Sequence, residues 1–209
     1  MPEIQNGLVE KFSTIRIGLW RITESQDELL ALGANRQYLR DIVNIKSSAR
    51  RLEYLATRAL LHDMIGYDVE ICHYPSGKPY LNDGRQVGIS HTRGYVAIAV
   101  SDEYNVALDI EYLSDRVCRI VSKFLRADEH AETTLQKLLV WCAKETLYKL
   151  HSEDKLSSYD MKVCNIPDLN VNPTGSFYIE NIKRRQEIAV YFVVTDSYIL
   201  TFAKENISK

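Results

Sequence analysis

Two acids one residue apart interrupt an otherwise apolar run: VALDIEYL, residues 106–113, carries Asp109 and Glu111. Successive side chains of a β-strand point to opposite faces, so both carboxylates project one way while Leu108, Ile110 and Tyr112 project the other. Like charges so placed resist joint ionisation unless a metal ion or a basic side chain stands between them. A second set lies downstream, where Trp141, Lys144, Glu145 and Lys149 spell W-x-x-K-E-x-x-x-K. At about 100° per residue, Glu145 and Lys149 fall together at the edge of a helical apolar stripe, beside Leu138. If that edge meets the strand, three carboxylates and a lysine converge. Such an oxygen-only ligand set suits Mg2+ with phosphate completing the shell, so phosphate transfer is the chemistry it would serve. Taken singly, each pattern is more often a solvated strand face or a surface helix pair; their ordered co-occurrence carries the argument.

The elements that must position these residues can be read from periodicity. Ser47 to Ile65 reads as a helix, with Leu52, Leu55, Ala56, Ala59, Leu60 and Met64 at helical spacing, Gly66 as its stop, and Arg51 and Arg58 on one face. PSGKPYLNDGR (75–85) has the Pro, Gly and Asn-Asp-Gly signals of a loop that turns more than once. GISHTRGYVAIAVS (88–101) reads as two strands about a Thr-Arg-Gly turn, and VALDIEYL as a third. From Asp115 the pattern turns helical. FLRADEHAE leads into TLQKLLVWCAKETLYKL, whose stripe is Leu139, Cys142, Ala143, Thr146, Leu147 and Leu150. GSFYIENI follows, then EIAVYFVV and SYILTFA joined by a Thr-Asp-Ser turn as a hairpin. The order helix, loop, strands thus occurs twice. It predicts an α+β protein of two similar lobes related by a pseudo-two-fold, residues 1–110 and 111–209. Each lobe would be a small antiparallel sheet packed with a long helix, the site would lie between them, and the crossover would fall near 111–116.

Composition narrows the class. The 209 residues are 45% hydrophobic and 26% charged with a formal net charge of −2, enough for a sizeable core and without the basic footprint of a nucleic-acid binder. Cys72, Cys118, Cys142 and Cys164 form no C-x-x-C pair, so reduced thiols and a cytoplasmic location are expected. MPEIQNGLVEKF carries acids early and no apolar core of leader length, and no stretch has the length of a membrane span.

Read in order, KPYL (78–81), ISHTRGYVAIAVS (89–101), ALDIE (107–111), FLRADE (124–129) and WCAKETLYK (141–149) resemble the successive signatures of the 4′-phosphopantetheinyl transferase superfamily. Length and the W-x-x-K-E helix are similar to the single-chain, pseudo-dimeric type of the surfactin-synthetase activators. The resemblance implies transfer of 4′-phosphopantetheine from coenzyme A to a serine of an apo acyl or peptidyl carrier protein, with release of 3′,5′-ADP. The carrier would serve fatty acid, polyketide or nonribosomal peptide synthesis, and one chain would suffice as a monomer. Asp109, Glu111 and Glu145 match the Mg2+ ligands, and Ser90 and His91 the pair on coenzyme A phosphate. Lys78 and Pro79 match the loop beside the adenine nucleotide, Arg51 the base that holds the 3′-phosphate, with Arg58 a second candidate, and Lys149 the lysine serving the departing 3′,5′-ADP. Glu145 or a metal-bound water would take the serine proton, and Glu129 would be a supporting residue. Thr146, Thr92 and HSEDKLSSYD (151–160) stand where the family usually has Ala or Ser, Ser, and a glycine-containing turn. A Mg2+-dependent phosphodiester hydrolase and a non-catalytic homologue acting as a binding protein are the competing readings; the hydrolase would want its lysine on the sheet and a basic groove.

Overall fold

The computed structural model describes residues 3–4, 14–32, 36–169 and 171–207. Most of MPEIQNGLVEKF, read above for a leader, lies outside the described residues. The first half holds β1 (Glu3–Ile4), β2 (Ile15–Arg21), α1 (Gln26–Leu32), α2 (Arg36–Val43), α3 (Ser48–Ile65), β3 (Ile71–His73), β4 (Pro79–Leu81), β5 (Gln86–Thr92) and β6 (Tyr95–Ser101). The second holds β7 (Tyr104–Tyr112), α4 (Thr134–Leu150), β8 (Met161–Cys164), β9 (Thr174–Asn181), β10 (Gln186–Val194) and β11 (Tyr198–Asn206). Two antiparallel sheets result, ordered β1-β2-β6-β5-β4-β3 and β7-β11-β10-β9-β8. The expected α+β architecture of two lobes is what the chain adopts.

Each long helix is set by its ends and its stripe. The Ser47 hydroxyl accepts from Arg50 N, and Gly66 ends α3 at φ +91°, a left-handed conformation that glycine adopts without Cβ strain. Thr133 and Gln136 form a capping box that starts α4. The expected stripe of α4 is buried along its whole length, and fully buried leucines such as Leu139 and Leu147 each contribute about 1.5–3 kcal/mol. α4 shares one core with Phe177, Ile179, Val190 and Ile199 of the second sheet, and α3 another with Val87, Val96, Ile98 and Val100 of the first. A third core joins the sheets, where Ile15, Ile17, Leu19, Ala97 and Ala99 meet Val106, Leu108, Ile110 and Phe202.

Several expectations are corrected. The chain changes sheets at residues 102–103 rather than near 111–116, because all of β7 pairs with β11. A cut at 110/111 would therefore divide a strand. Asp115–Arg119 and Val121–Lys123 form only short 3-10 turns, and residues 124–133 are irregular. Within the 75–85 loop, Pro79–Leu81 pairs as β4. Sequence periodicity gave no account of β2, α1, α2, β3 or β8. The four cysteines are free thiols. Among the described residues no helix is long and apolar enough to cross a membrane.

Candidate active site between the two sheets

β7 forms one edge of its sheet, and β5 of the other sheet lies against that edge. Two strands of period two align their side chains: Gly88, Ser90 and Thr92 of β5 face Ala107, Asp109 and Glu111 of β7. Ser90 Oγ donates to Asp109 Oδ1 at 2.8 Å and accepts from Ile110 N at 3.3 Å. Thr92 Oγ1 donates to Glu111 Oε2 at 3.3 Å and accepts from Tyr112 N at 3.2 Å. The two hydroxyls thus satisfy edge amides of β7 that its own sheet leaves unpaired, and hold both acids as well. The third position is tight, since a Cβ on Gly88 would stand 3.0 Å from Ala107 Cα and the facing strand would have to give by a few tenths of an ångström.

α4 brings the lysine. Lys149 Nζ lies 2.6 Å from Asp109 Oδ1, 2.9 Å from Ser90 Oγ and 3.3 Å from the Leu108 carbonyl. Trp141, one helical face away, donates Nε1–H to Glu111 Oε1 at 3.1 Å. Asp109 is buried, and its Oδ2 has no hydrogen-bond partner. Burial, then the charge of Asp109, pushes the carboxyl of Glu145 up to about 7 against the pull of Lys149. Glu111 is raised by the same two causes in the same order. Lys149 thus sits on Asp109, Ser90 and Thr92 tie Asp109 and Glu111 to β5, and Glu145 lies within reach of the charges of Asp109, Lys149 and Glu111.

Thr146 is fully buried, its hydroxyl 2.6 Å from that of Thr201, the residue paired with Asp109 across the β7–β11 ladder. The larger side chain at this position thus has a partner of its own.

Among the described residues no group of three or more His, Cys, Asp or Glu side chains is arranged to hold a metal ion. The acids nevertheless fit a divalent cation in donor chemistry. They offer only oxygens, one of them buried and unpartnered, and two carboxyls are raised by burial and then by the charge of Asp109, the second of which a cation would offset.

Two hollows flank this knot. One of about 290 Å³ is lined by His73, Gly77, Lys78, Pro79, Gly88, Ile89 and Lys149 among others. The other, of about 410 Å³, shares His73 and Ile89 with it and adds Arg50, Glu53, Tyr54, Arg58 and His91. Arg58 stacks on the Tyr54 ring, 3.3 Å from its centroid, and burial lowers its pKa. Arg51 is turned away, donating to the Lys46 carbonyl at 3.3 Å. The neighbouring Arg50 instead reaches the hollow, 2.8 Å from His91 Nε2 and 3.1 Å from Glu53 Oε2. Partial burial lowers the pKa of His91, Glu53 opposing and Arg50 reinforcing. The family resemblance points to Arg51, which helical spacing puts on one face with Arg58, and so passes over Arg50. Its i,i+3 relation to Glu53 in the first turn of α3 was the available signal.

The FLRADE block serves α4 from its other side. Lys144 Nζ donates to Glu129 Oε2 at 2.7 Å and to the carbonyls of Phe124 at 2.7 Å and Ser158 at 3.1 Å. Glu129 also accepts from Arg126 N at 2.8 Å and Val163 N at 2.7 Å. Glu129 is thus structural, fixing the turn of α4 from which Glu145 projects. No curated protein matches the chain in sequence. Residues 105–203, the segment holding Asp109, Glu111, Glu129, Lys144, Glu145 and Lys149, match the family model of the 4′-phosphopantetheinyl transferase superfamily.

Proposed function

We propose that the chain transfers 4′-phosphopantetheine from coenzyme A to a serine hydroxyl of an apo acyl or peptidyl carrier protein in the cytoplasm, as a single-chain, two-lobed monomer. The observation that carries the proposal is the Lys149–Asp109–Ser90 knot beside Glu111 and Glu145, lying largely inside the segment that matches the transferase model. The hollow between Pro79, Gly88 and Lys149 would take the pyrophosphate end of the nucleotide, with Ser90 at its edge. The basic wall of Arg50 in the first turn of α3, Arg58 farther along it and His91 on β5 would take the 3′-phosphate, and Arg51, next to Arg50 in the chain, would have to swing from the Lys46 carbonyl to join it. Asp109, Glu111 and Glu145 would hold Mg2+, which when bound neutralises pyrophosphate charge.

In the reaction the carrier serine oxygen attacks the β-phosphorus, and the bond from that phosphorus to the bridging oxygen of 3′,5′-ADP breaks. Glu145 would take the serine proton as the general base. Lys149 meets the charge developing on the departing oxygen. Its ammonium is held in place by Ser90 and the Leu108 carbonyl rather than by Asp109 alone.

The test is incubation with coenzyme A, Mg2+ and a panel of apo carriers from fatty acid, polyketide and peptide synthesis. One carrier should gain the mass of phosphopantetheine and release 3′,5′-ADP. No gain across the panel would overturn the proposal, and Mg2+-dependent cleavage of a simple phosphodiester would favour the hydrolase reading.

A further inference from the structure

Lys78 lines two hollows at once. Its residue contributes to the wall of the nucleotide-sized hollow with Gly77, Pro79 and Lys149. On the other side it lines a cavity of about 300 Å³ bounded by Asn105, Leu150, His151, Ser152 and Glu205 among others. Its ammonium belongs to the second. Lys78 Nζ donates to Asn105 Oδ1 on β7 and, at 3.2 Å, to the carbonyl of Leu150. That carbonyl is among the last four of α4, which have no partner within the helix. A cation there also complements the negative end of the helix dipole. Two residues earlier in the same loop, the Ser76 hydroxyl accepts from Ser152 Oγ at 3.0 Å. The 75–79 loop of the first sheet is thereby tied twice to the chain at and beyond the end of α4, and once to β7.

We propose that Lys78 is a positioning residue, whose ammonium braces the C-terminal turn of α4 against the 75–79 loop and so sets where Lys149 meets Ser90 and Asp109. The lysine acts through the helix and not on the nucleotide phosphate. Its consequence for transfer rests on the function proposed above; the brace itself does not. Lys149 lies one residue from the braced carbonyl, and a misplacement of about 1 Å at a reacting group can cost on the order of 10²-fold in rate.

The experiment compares Lys78→Met, Asn105→Ala, the double variant and Lys78→Arg in the full chain. Amide hydrogen exchange over residues 147–151 and steady-state transfer are both measured. The brace predicts that Lys78→Met and Asn105→Ala each raise exchange in the last turn of α4. Each should lower kcat roughly tenfold with KM for coenzyme A within about twofold. The double variant should be no worse than the weaker single, and Lys78→Arg, which keeps donors for both acceptors, should recover most of the loss. A tenfold rise in KM with kcat unchanged for Lys78→Met, alongside a silent Asn105→Ala, would overturn the brace and return the ammonium to the nucleotide. Unchanged exchange in both singles would overturn it as well. Raised exchange in both singles with no carrier modified by the wild-type protein would uphold the brace and defeat the transferase reading. If Lys78→Met does not fold, Asn105→Ala, which keeps the lysine, decides the matter through the same two readouts.

Discussion

Helix α4 carries two lysines, Lys144 and Lys149, each against a carboxylate from another element, and the two pairs differ in what they leave unmet. Lys144 and Glu129 have side chains 1% and 0% exposed, and every strong group in the pair has a partner. Three acceptors surround the ammonium, and two backbone amides complete the carboxylate. Lys149 and Asp109 are 32% and 6% exposed, Asp109 Oδ2 is orphaned, and the charge of Asp109 pushes two neighbouring carboxyls upward. A buried pair fully satisfied by protein is a structural joint. One held incomplete beside a hollow has capacity left for a ligand, and native proteins seldom keep such orphaned groups elsewhere.

The comparison breaks first at Lys144. Lys144→Met should destabilise the protein by about 3–5 kcal/mol, because Glu129 is then left charged and buried without its counter-ion. Adding Glu129→Leu should recover much of that, since an apolar pair of similar volume is often no worse than the ion pair it replaces. Denaturant unfolding of the three proteins checks both statements. A single-variant loss below about 1 kcal/mol would show that the joint is not structural.

Asp109→Asn should behave in the opposite way. Transfer should fall by about 10²-fold or more, while thermal stability is unchanged or raised, because the charge that opposes Glu111 and Glu145 has gone. Carrier mass analysis and a thermal melt on the same preparation separate the two effects. Near-normal transfer would remove Asp109 from the site, and a large loss of stability would make its pair a second joint.

The same contrast marks what the sequence could and could not reveal. The stripe of α4 and the alternation of VALDIEYL are local, so the helix, the strand and the common face of Asp109 and Glu111 were legible from spacing alone. The pairing of Ser90 and Thr92 with the two acids was not, because it depends on β5 meeting the free edge of β7 from another sheet. Thr92 looked like a departure from the family pattern and proves to hold Glu111. Arg50 and Arg51 differ by one residue, about 100° around α3, and only the packing of His91 against that helix chooses between them. Lys78 could be placed in its loop, but not the side to which its ammonium turns.

The smallest effect concerns His151, which follows α4 and adds a third buried titratable group. Its Nδ1 accepts from Asn181 Nδ2 at 2.9 Å, while Nε2 lies 3.3 Å from Glu205 Oε2 without hydrogen-bond geometry. Burial and then Arg184 hold its pKa below the ordinary value, with Glu205 and Asp154 opposing. The folded protein therefore keeps this imidazole neutral in a range where the unfolded chain takes up a proton, from about pH 6.5 downward. Its contribution is constant above that range, and stability falls as pH drops through it toward the lowered folded value. The stability gap between wild type and His151→Gln should therefore shrink between about pH 8 and about pH 5.5, because the glutamine variant escapes that loss. A gap that stays constant would mean that Glu205 and Asp154 satisfy the charged imidazole as fully as Glu129 satisfies Lys144. His151 would then belong with the joints of the fold, and the incomplete pairing at Asp109 would stand alone among the three.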